Sequence, residues 1–161
     1  MLMVRHIVAF FFCALVFGQS VKSDEAWLEP WLGTWKLNFN KSKYSPNSIL
    51  PRSETYVLAR WKDGLKLTVS GETAEGKSRH DECYLRYDGA EYTCNPSLPT
   101  QTILFWRVND RALERVIKRD GAITRAASLV LSPDGKTETR TVHETDSQGK
   151  WVTDIFVYDK Q

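Results

Sequence analysis

The clearest indication of the fold class is the segment Trp27-Leu-Glu-Pro-Trp-Leu-Gly-Thr-Trp-Lys-Leu-Asn-Phe39. After Gly33 its apolar and polar residues alternate, so that one face holds Trp35, Leu37 and Phe39 and the other holds Thr34, Lys36 and Asn38. A period of two is that of a β-strand with one buried face. Segment 65–71 alternates in the same way, which is typical of an antiparallel sheet wrapped around a core.

Tight turns divide the rest of the chain at regular intervals. Each contains a glycine, which adopts positive φ without steric cost; these are Gly64, Gly76, Gly89, Gly121, Gly135 and Gly149. The runs between the turns predict ten antiparallel strands at 33–39, 52–61, 65–71, 78–87, 90–94, 101–108, 111–118, 122–131, 137–144 and 151–158. Closing the first strand onto the last removes the exposed edges and makes an all-β, up-and-down barrel. An open sheet packed on itself is the alternative.

Segment 111–118 satisfies two patterns. Its apolar residues have helical spacing, with Asp110 placed as an N-cap and Gly121 just past the end. The strands before and after it favour a strand, so both assignments stay open on the local pattern alone.

The first residues resemble a targeting segment rather than part of the fold. Arg5 and His6 precede an apolar run at 7–17, and small residues follow as far as Ser23. This order predicts a signal peptide at 1–23 and a single domain at 24–161. The run is shorter than the roughly 20 residues that cross a bilayer, so we expect no stable membrane anchor. The expected location is outside the cytoplasm, in a periplasm or the extracellular space.

Charge and motifs exclude several function classes. The chain has 22 Lys and Arg against 20 Asp and Glu, and this balance argues against a nucleic-acid partner. His80 and His143 have no metal-ligand spacing, and neither a nucleophile elbow nor a phosphate-binding or dinucleotide-binding motif occurs. We therefore expect no catalytic residues, no metal and no cofactor, and hence no enzyme.

The two cysteines that follow the leader should form a disulfide if the chain is exported. A hairpin turn at Asp88-Gly89 would match three pairs of residues across two strands. The pairs are Cys83 with Cys94, Leu85 with Tyr92 and Arg86 with Glu91. Two unpaired buried thiols are the alternative.

Two arginines lie on strand faces that are otherwise apolar. Arg115 and Arg125 must each meet an anion or a carboxylate, because an isolated buried charge is costly. One interpretation is the acidic headgroup of a ligand; the other is an ion pair with Glu138 or Asp154, or a side chain that reaches solvent. With the aromatic residues that could border a pocket, the candidate ligand-binding residues are Trp61, Trp106, Arg115, Arg125, Phe156 and Tyr158. Aromatic residues that only fill the interior are the alternative.

The opening stretch also resembles that of calycin barrels, the lipocalins and intracellular fatty-acid-binding proteins. The resemblance rests on Gly-x-Trp at the first strand, here Gly33-Thr34-Trp35, after a short helical turn. Segments 40–46 and 157–160 are similar to those of exported bacterial lipocalin-like proteins. The resemblance implies that Gly33 and Trp35 are structural, that Trp35 closes the barrel floor, and that 111–118 is a strand.

The sequence departs from fatty-acid-binding proteins at two places. Pro46 and Pro51 fall within 41–52, where those proteins insert two helices, so that pair is not expected here. Their last strand carries Arg-x-Tyr, and the matching Phe156-Val157-Tyr158 keeps only the tyrosine.

Two functions follow from these patterns. The first is an exported carrier or sensor for a small apolar or amphipathic ligand, acidic ligands included. The second is a barrel filled by its own side chains that acts as a structural or protein-interaction module, with a partner that the sequence does not identify. The interior volume of the barrel distinguishes the two.

Overall fold

The computed structural model describes residues 25–94 and 99–161, so the predicted signal peptide at 1–23 lies outside the described residues. These residues form one 3-10 helix, Ala26–Trp31, and a single ten-stranded sheet. The strands are β1 (Gly33–Leu37), β2 (Ser53–Trp61), β3 (Gly64–Glu72), β4 (Ser78–Leu85), β5 (Tyr92–Thr93), β6 (Gln101–Asn109), β7 (Ala112–Arg119), β8 (Ala122–Leu131), β9 (Thr137–Thr145) and β10 (Trp151–Lys160). The predicted ten-strand meander is confirmed, and the ambiguous segment at 111–118 is the strand β7.

The sheet curls into a nearly closed barrel. Its strand order is β4-β3-β2-β1-β10-β9-β8-β7-β6-β5, and every pair is antiparallel. The first strand pairs with the last, with Trp35 opposite Lys160 and Leu37 opposite Tyr158. Closure is incomplete at one place only in this order, because β4 and β5 stand at its two ends.

The gap between β4 and β5 corrects the predicted hairpin. The stretch around Asp88 and Gly89 joins β6 instead of turning back onto β4: Asp88 bridges to Trp106, and the Gly89 amide donates to the Phe105 carbonyl at 2.9 Å. Two of the three predicted pairs are wrong as a result. Tyr92 lies opposite Ile103 rather than Leu85. Arg86 forms an ion pair with Asp63 instead of Glu91. Glu91 contacts Lys118 and Thr102.

The 3-10 helix closes one end of the barrel. The indole of Trp35 donates to the Trp31 carbonyl at 2.9 Å, and the indole of Trp31 donates to the Asp110 carbonyl at 3.1 Å. Both rings are fully buried, which places Trp35 at the barrel floor. Gly33 lies between helix and strand at φ +120°, and a Cβ there would come within 3.2 Å of the Lys160 side chain. The change of chain direction from the 3-10 helix into β1 therefore requires glycine at position 33.

The segment between β1 and β2 lies at the other end. It continues beside β10, where the Lys43 and Ile155 backbones exchange hydrogen bonds of 2.8 and 2.7 Å. Asp154, whose side chain is fully buried, then accepts from the Ser45 amide at 2.7 Å and from the Ser48 hydroxyl at 2.8 Å. These bonds hold the segment 38–52 in turns and extended chain against β10.

Candidate ligand cavity

A cavity of about 870 Å³ occupies the barrel interior. Its walls are the inward-facing residues of β2–β4 and β6–β10, and Trp31 borders it at the closed end. Much of the wall is apolar, including Leu58, Leu67, Val69, Leu85, Ile103, Phe105, Leu113, Ile117 and Leu129. A volume of this size falls within the usual range for small-molecule sites, so the side chains do not fill the barrel.

The cavity extends to the end of the barrel opposite the 3-10 helix. Its border there includes residues of the β3–β4 connection, of the β7–β8 turn region and of the segment before β2. They are Ile49, Leu50, Pro51, Thr73, Ala74, Glu75, Lys77, Arg119 and Thr124. This end is the route by which a ligand would reach the interior.

Arg140 on β9 has a complete set of partners in the cavity wall. Its guanidinium lies between the rings of Tyr56 and Tyr158, 4.4 and 4.1 Å from their centroids. Its Nε donates to Glu138 Oε1, and the Tyr56 hydroxyl donates to Glu138 Oε2. Burial alone would lower the pKa of Arg140, but the charge and hydrogen bond of Glu138, together with Tyr158 and Tyr56, outweigh burial, and the pKa is raised. Arg140 is a fixed cation that Glu138 neutralises.

Glu54 on β2 is the second satisfied carboxylate. The Tyr158 hydroxyl donates to its Oε1 at 2.6 Å, and Arg79 donates to its Oε2 at 3.0 Å. Burial opposes ionisation of Glu54, yet the nearby Arg140 and the Tyr158 hydrogen bond prevail, so its pKa lies below the ordinary value of 4.5.

Arg125 and Glu144 form an ion pair across β8 and β9. The register places these residues opposite each other, and Arg125 Nη2 contacts Glu144 Oε2. The other oxygen, Glu144 Oε1, is buried and has no hydrogen-bond partner among the described residues. Arg125 is therefore neutralised, and one carboxylate oxygen in the wall is left without a donor.

Arg115 on β7 points into the interior and forms no salt bridge; the charge of Glu54 acts on it only from beyond salt-bridge distance. Its neighbours on the adjoining strands are Phe105 and Ala127, neither of which can accept a hydrogen bond from its side chain. Its Nε is buried, and the structure gives it no hydrogen bond or ion pair to any residue described. Burial, with the charges of Arg140 and Arg125, lowers its pKa to about 10. Arg115 is still protonated at neutral pH, and an anion beside it would relieve an unpaired charge.

Four of the six predicted ligand-binding residues border the cavity, and two do not. Arg115, Arg125, Phe156 and Tyr158 face the interior. The prediction is wrong for Trp61 and Trp106. Their side chains lie on the outer surface, 46% and 38% exposed, and do not border the described cavity. On β2 the inward residues have even numbers, and on β6 they have odd numbers, so alternation turns both indoles outward.

The pattern on β9 signals the residues that were missed. Glu138, Arg140, Val142 and Glu144 alternate with polar residues that face away from the core. A turn at Asp134-Gly135 pairs β8 with β9 so that Arg125 meets Glu144, rather than the Glu138 or Asp154 that were considered as its partners. Both signals are present in the sequence.

The disulfide between Cys83 and Cys94 is formed, with the two Cα atoms 4.3 Å apart. Cys83 is in β4 and Cys94 follows β5, so the bond joins the two strands that share no backbone ladder in the described sheet. Both residues border the cavity. The disulfide thus fastens the one seam of the barrel.

Within 25–94 and 99–161, no three His, Cys, Asp or Glu residues come together as a metal site. Over the same residues, no helix has the length and apolar character needed to span a membrane.

Comparisons with known proteins support the fold. No family model matches the chain, and no curated protein sequence matches it. A solved structure, a Schistosoma mansoni fatty acid binding protein in complex with arachidonic acid, is similar with a TM-score of 0.54 and 18% identity. The similarity covers 83% of this chain and 98% of that chain. The chain therefore has the same β-barrel fold as this fatty acid binding protein.

Proposed function

We propose that this protein is an exported carrier or sensor that holds an amphipathic ligand inside its barrel, with an anionic group of the ligand at Arg115. The observation that carries the proposal is an arginine that forms no salt bridge and has a buried Nε without a hydrogen-bond partner, in the wall of a cavity of about 870 Å³. The neighbouring Arg125 and Arg140 have carboxylate partners and do not need a ligand.

The apolar part of the wall supports a ligand with a hydrocarbon portion. Leucines from four strands, Leu58, Leu67, Leu85 and Leu113, border the cavity. Burial of the ligand's apolar surface would contribute roughly 25 cal/mol per Å². A charge-assisted contact between an acid group and Arg115 would add about 1.5–3 kcal/mol. Apolar burial would supply most of the affinity, and the contact with Arg115 would favour acids over neutral lipophiles.

Two further observations fit this proposal. The similar barrel from Schistosoma mansoni was solved with a fatty acid, arachidonic acid. A disulfide at the seam is typical of proteins that mature in an oxidising compartment, which agrees with the leader-like segment at 1–23.

Calorimetric titration of the delipidated protein with three ligands of matched chain tests the proposal. Oleic acid, oleyl alcohol and oleylamine share their hydrocarbon portion and differ in the charge of the head. We expect saturable binding of oleic acid, weaker binding of the alcohol and the weakest binding of the amine. Equal affinity for all three would refute the role of Arg115, and failure of every lipophile to bind would refute the carrier function.

A further inference from the structure

We propose that the ligand carries a hydrogen-bond donor, a hydroxyl or an amine, a few bonds from its acid group, and that Glu144 accepts this hydrogen bond. The proposal rests on the proposed function and specifies the ligand class for the same cavity: hydroxylated or aminated acids rather than plain fatty acids.

Glu144 presents an unsatisfied acceptor to the cavity. The residue is only 7% exposed and borders the cavity from β9. Arg125 occupies Oε2, while Oε1 has no donor among the described residues. A buried carboxylate oxygen without a donor is costly, because the hydration lost on burial is not replaced. A plain hydrocarbon chain packed against Glu144 would leave this cost in place.

The two other glutamates that border the cavity from strands have donors at both oxygens, unlike Glu144. Glu54 accepts at both oxygens, from Tyr158 and Arg79. Glu138 also accepts at both, from Tyr56 and Arg140. Of the three, Glu144 alone retains an oxygen for a ligand.

The register places the acceptor near the anion site. Arg115 lies opposite Ala127 on β8, and Ala127 lies opposite Val142 on β9, so Glu144 is two residues further toward the open end. Two strand spacings and two residues of rise separate the Cα atoms of Arg115 and Glu144 by about 12 Å. Both side chains point inward, which shortens the distance between their polar groups. One ligand can therefore reach both with its acid group and a donor a few bonds away, but not with a donor at the far end of its tail.

Three acids of equal chain length test this inference on the whole protein: stearic acid, stearic acid hydroxylated on its fifth carbon, and stearic acid hydroxylated on its terminal carbon. We expect the acid hydroxylated near its head to bind about tenfold more tightly than stearic acid. The terminal hydroxyl should give no such gain.

The paired variant Glu144→Leu/Arg125→Met removes the acceptor together with its cation, so neither charge is left unpaired. The preference for the hydroxylated acid should disappear in this variant, and stearic acid, which offers Glu144 no donor, serves as the control ligand. Circular dichroism verifies that the variant folds, and the wild-type comparison tests the inference without it.

Equal binding of stearic acid and the near-head hydroxy acid by the wild-type protein would overturn this inference and leave the carrier function intact. An equal gain from the terminal hydroxyl would overturn it as well, because the donor would then act elsewhere. Binding of none of the three acids would remove the proposed function and this inference together.

Discussion

Replacing Arg115 by methionine should make the ligand-free protein more stable. The cavity lowers the pKa of Arg115 from 12.5 to about 10, which means that the folded state disfavours its charged form. Because this is a base with a depressed pKa, the penalty is fully present below the folded pKa and is relieved as the pH rises above it. A shift of this size corresponds to about 3 kcal/mol, since one pKa unit is worth about 1.4 kcal/mol. Methionine keeps a long apolar side chain and carries no charge.

The assay is denaturant unfolding of the delipidated protein at neutral pH. We expect Arg115→Met to raise the free energy of unfolding by about 1–3 kcal/mol, with the upper value applying if no water enters the cavity. Arg119→Met is the matched control: this arginine is on the same strand but is exposed at the open end, where it contacts Gln101. Its replacement should change stability by less than about 0.5 kcal/mol. A clear loss of stability in Arg115→Met would refute the reasoning, because it would show that the charge is already satisfied.

Ligand binding should respond in the opposite direction. Loss of the charge-assisted contact should weaken oleic acid binding to Arg115→Met by roughly 10- to 150-fold, which corresponds to about 1.5–3 kcal/mol. Binding of oleyl alcohol should stay nearly unchanged. A uniform loss for both ligands would mean that the substitution alters the cavity and does not remove a headgroup contact.

The remaining predictions concern the seam, the buried acid on β2 and the segment beside β10. Cys83 and Cys94 should resist alkylation in the native unreduced protein, as measured by intact mass, and replacing both by serine should cost about 3 kcal/mol in the loop-entropy model; labelling of either thiol would contradict the bond. Glu54 has a lowered pKa, so its contribution to stability is present above its ordinary value of 4.5 and is lost as the pH falls through the folded value. The stability difference between wild type and Glu54→Gln should therefore shrink on acidification, and a difference independent of pH would contradict this. Asp154→Ala should destabilise the protein by about 2 kcal/mol, since Ser45 and Ser48 lose their acceptor, and hydrogen exchange should quicken first at 43–48.

Local patterns predicted the strands because each of them is specified locally. Glycine-containing turns fix where a strand ends, and alternation fixes its two faces, so β7 to β10 match their predicted positions within two residues. The predicted hairpin at Asp88-Gly89 is wrong because the backbone groups of these residues bond to β6 instead. A local sequence pattern does not show this pairing with a distant strand. Trp106 failed for a related reason: Leu104, Phe105 and Trp106 make both faces of β6 apolar, so only the closed barrel shows which face is inside.

The charged residues of the cavity were predicted less well because pairing depends on register. Arg115 and Arg125 look equivalent along the chain, as arginines on apolar faces. The β8–β9 register gives Arg125 an acid at the opposite position, whereas the β7–β8 and β6–β7 registers surround Arg115 with Ala127 and Phe105. Whether an arginine on an apolar face forms a salt bridge therefore depends on which strands are its neighbours.

The barrel interior contains several charged side chains whose burial costs desolvation free energy. Replacing a buried ion pair by well-packed apolar residues is often neutral or stabilising, so stability alone does not account for Arg140 between two tyrosines or for Arg125 with Glu144. Arg140 and Glu138 form an ion pair, however, so neither charge needs a ligand as its partner. Arg115 and the free oxygen of Glu144 are different, since each is a polar group in the cavity wall without a described partner. A filled structural barrel would have no use for either, whereas a ligand with an acid group and a nearby donor completes both. These two groups, more than the volume that surrounds them, are the basis of the proposed ligand class.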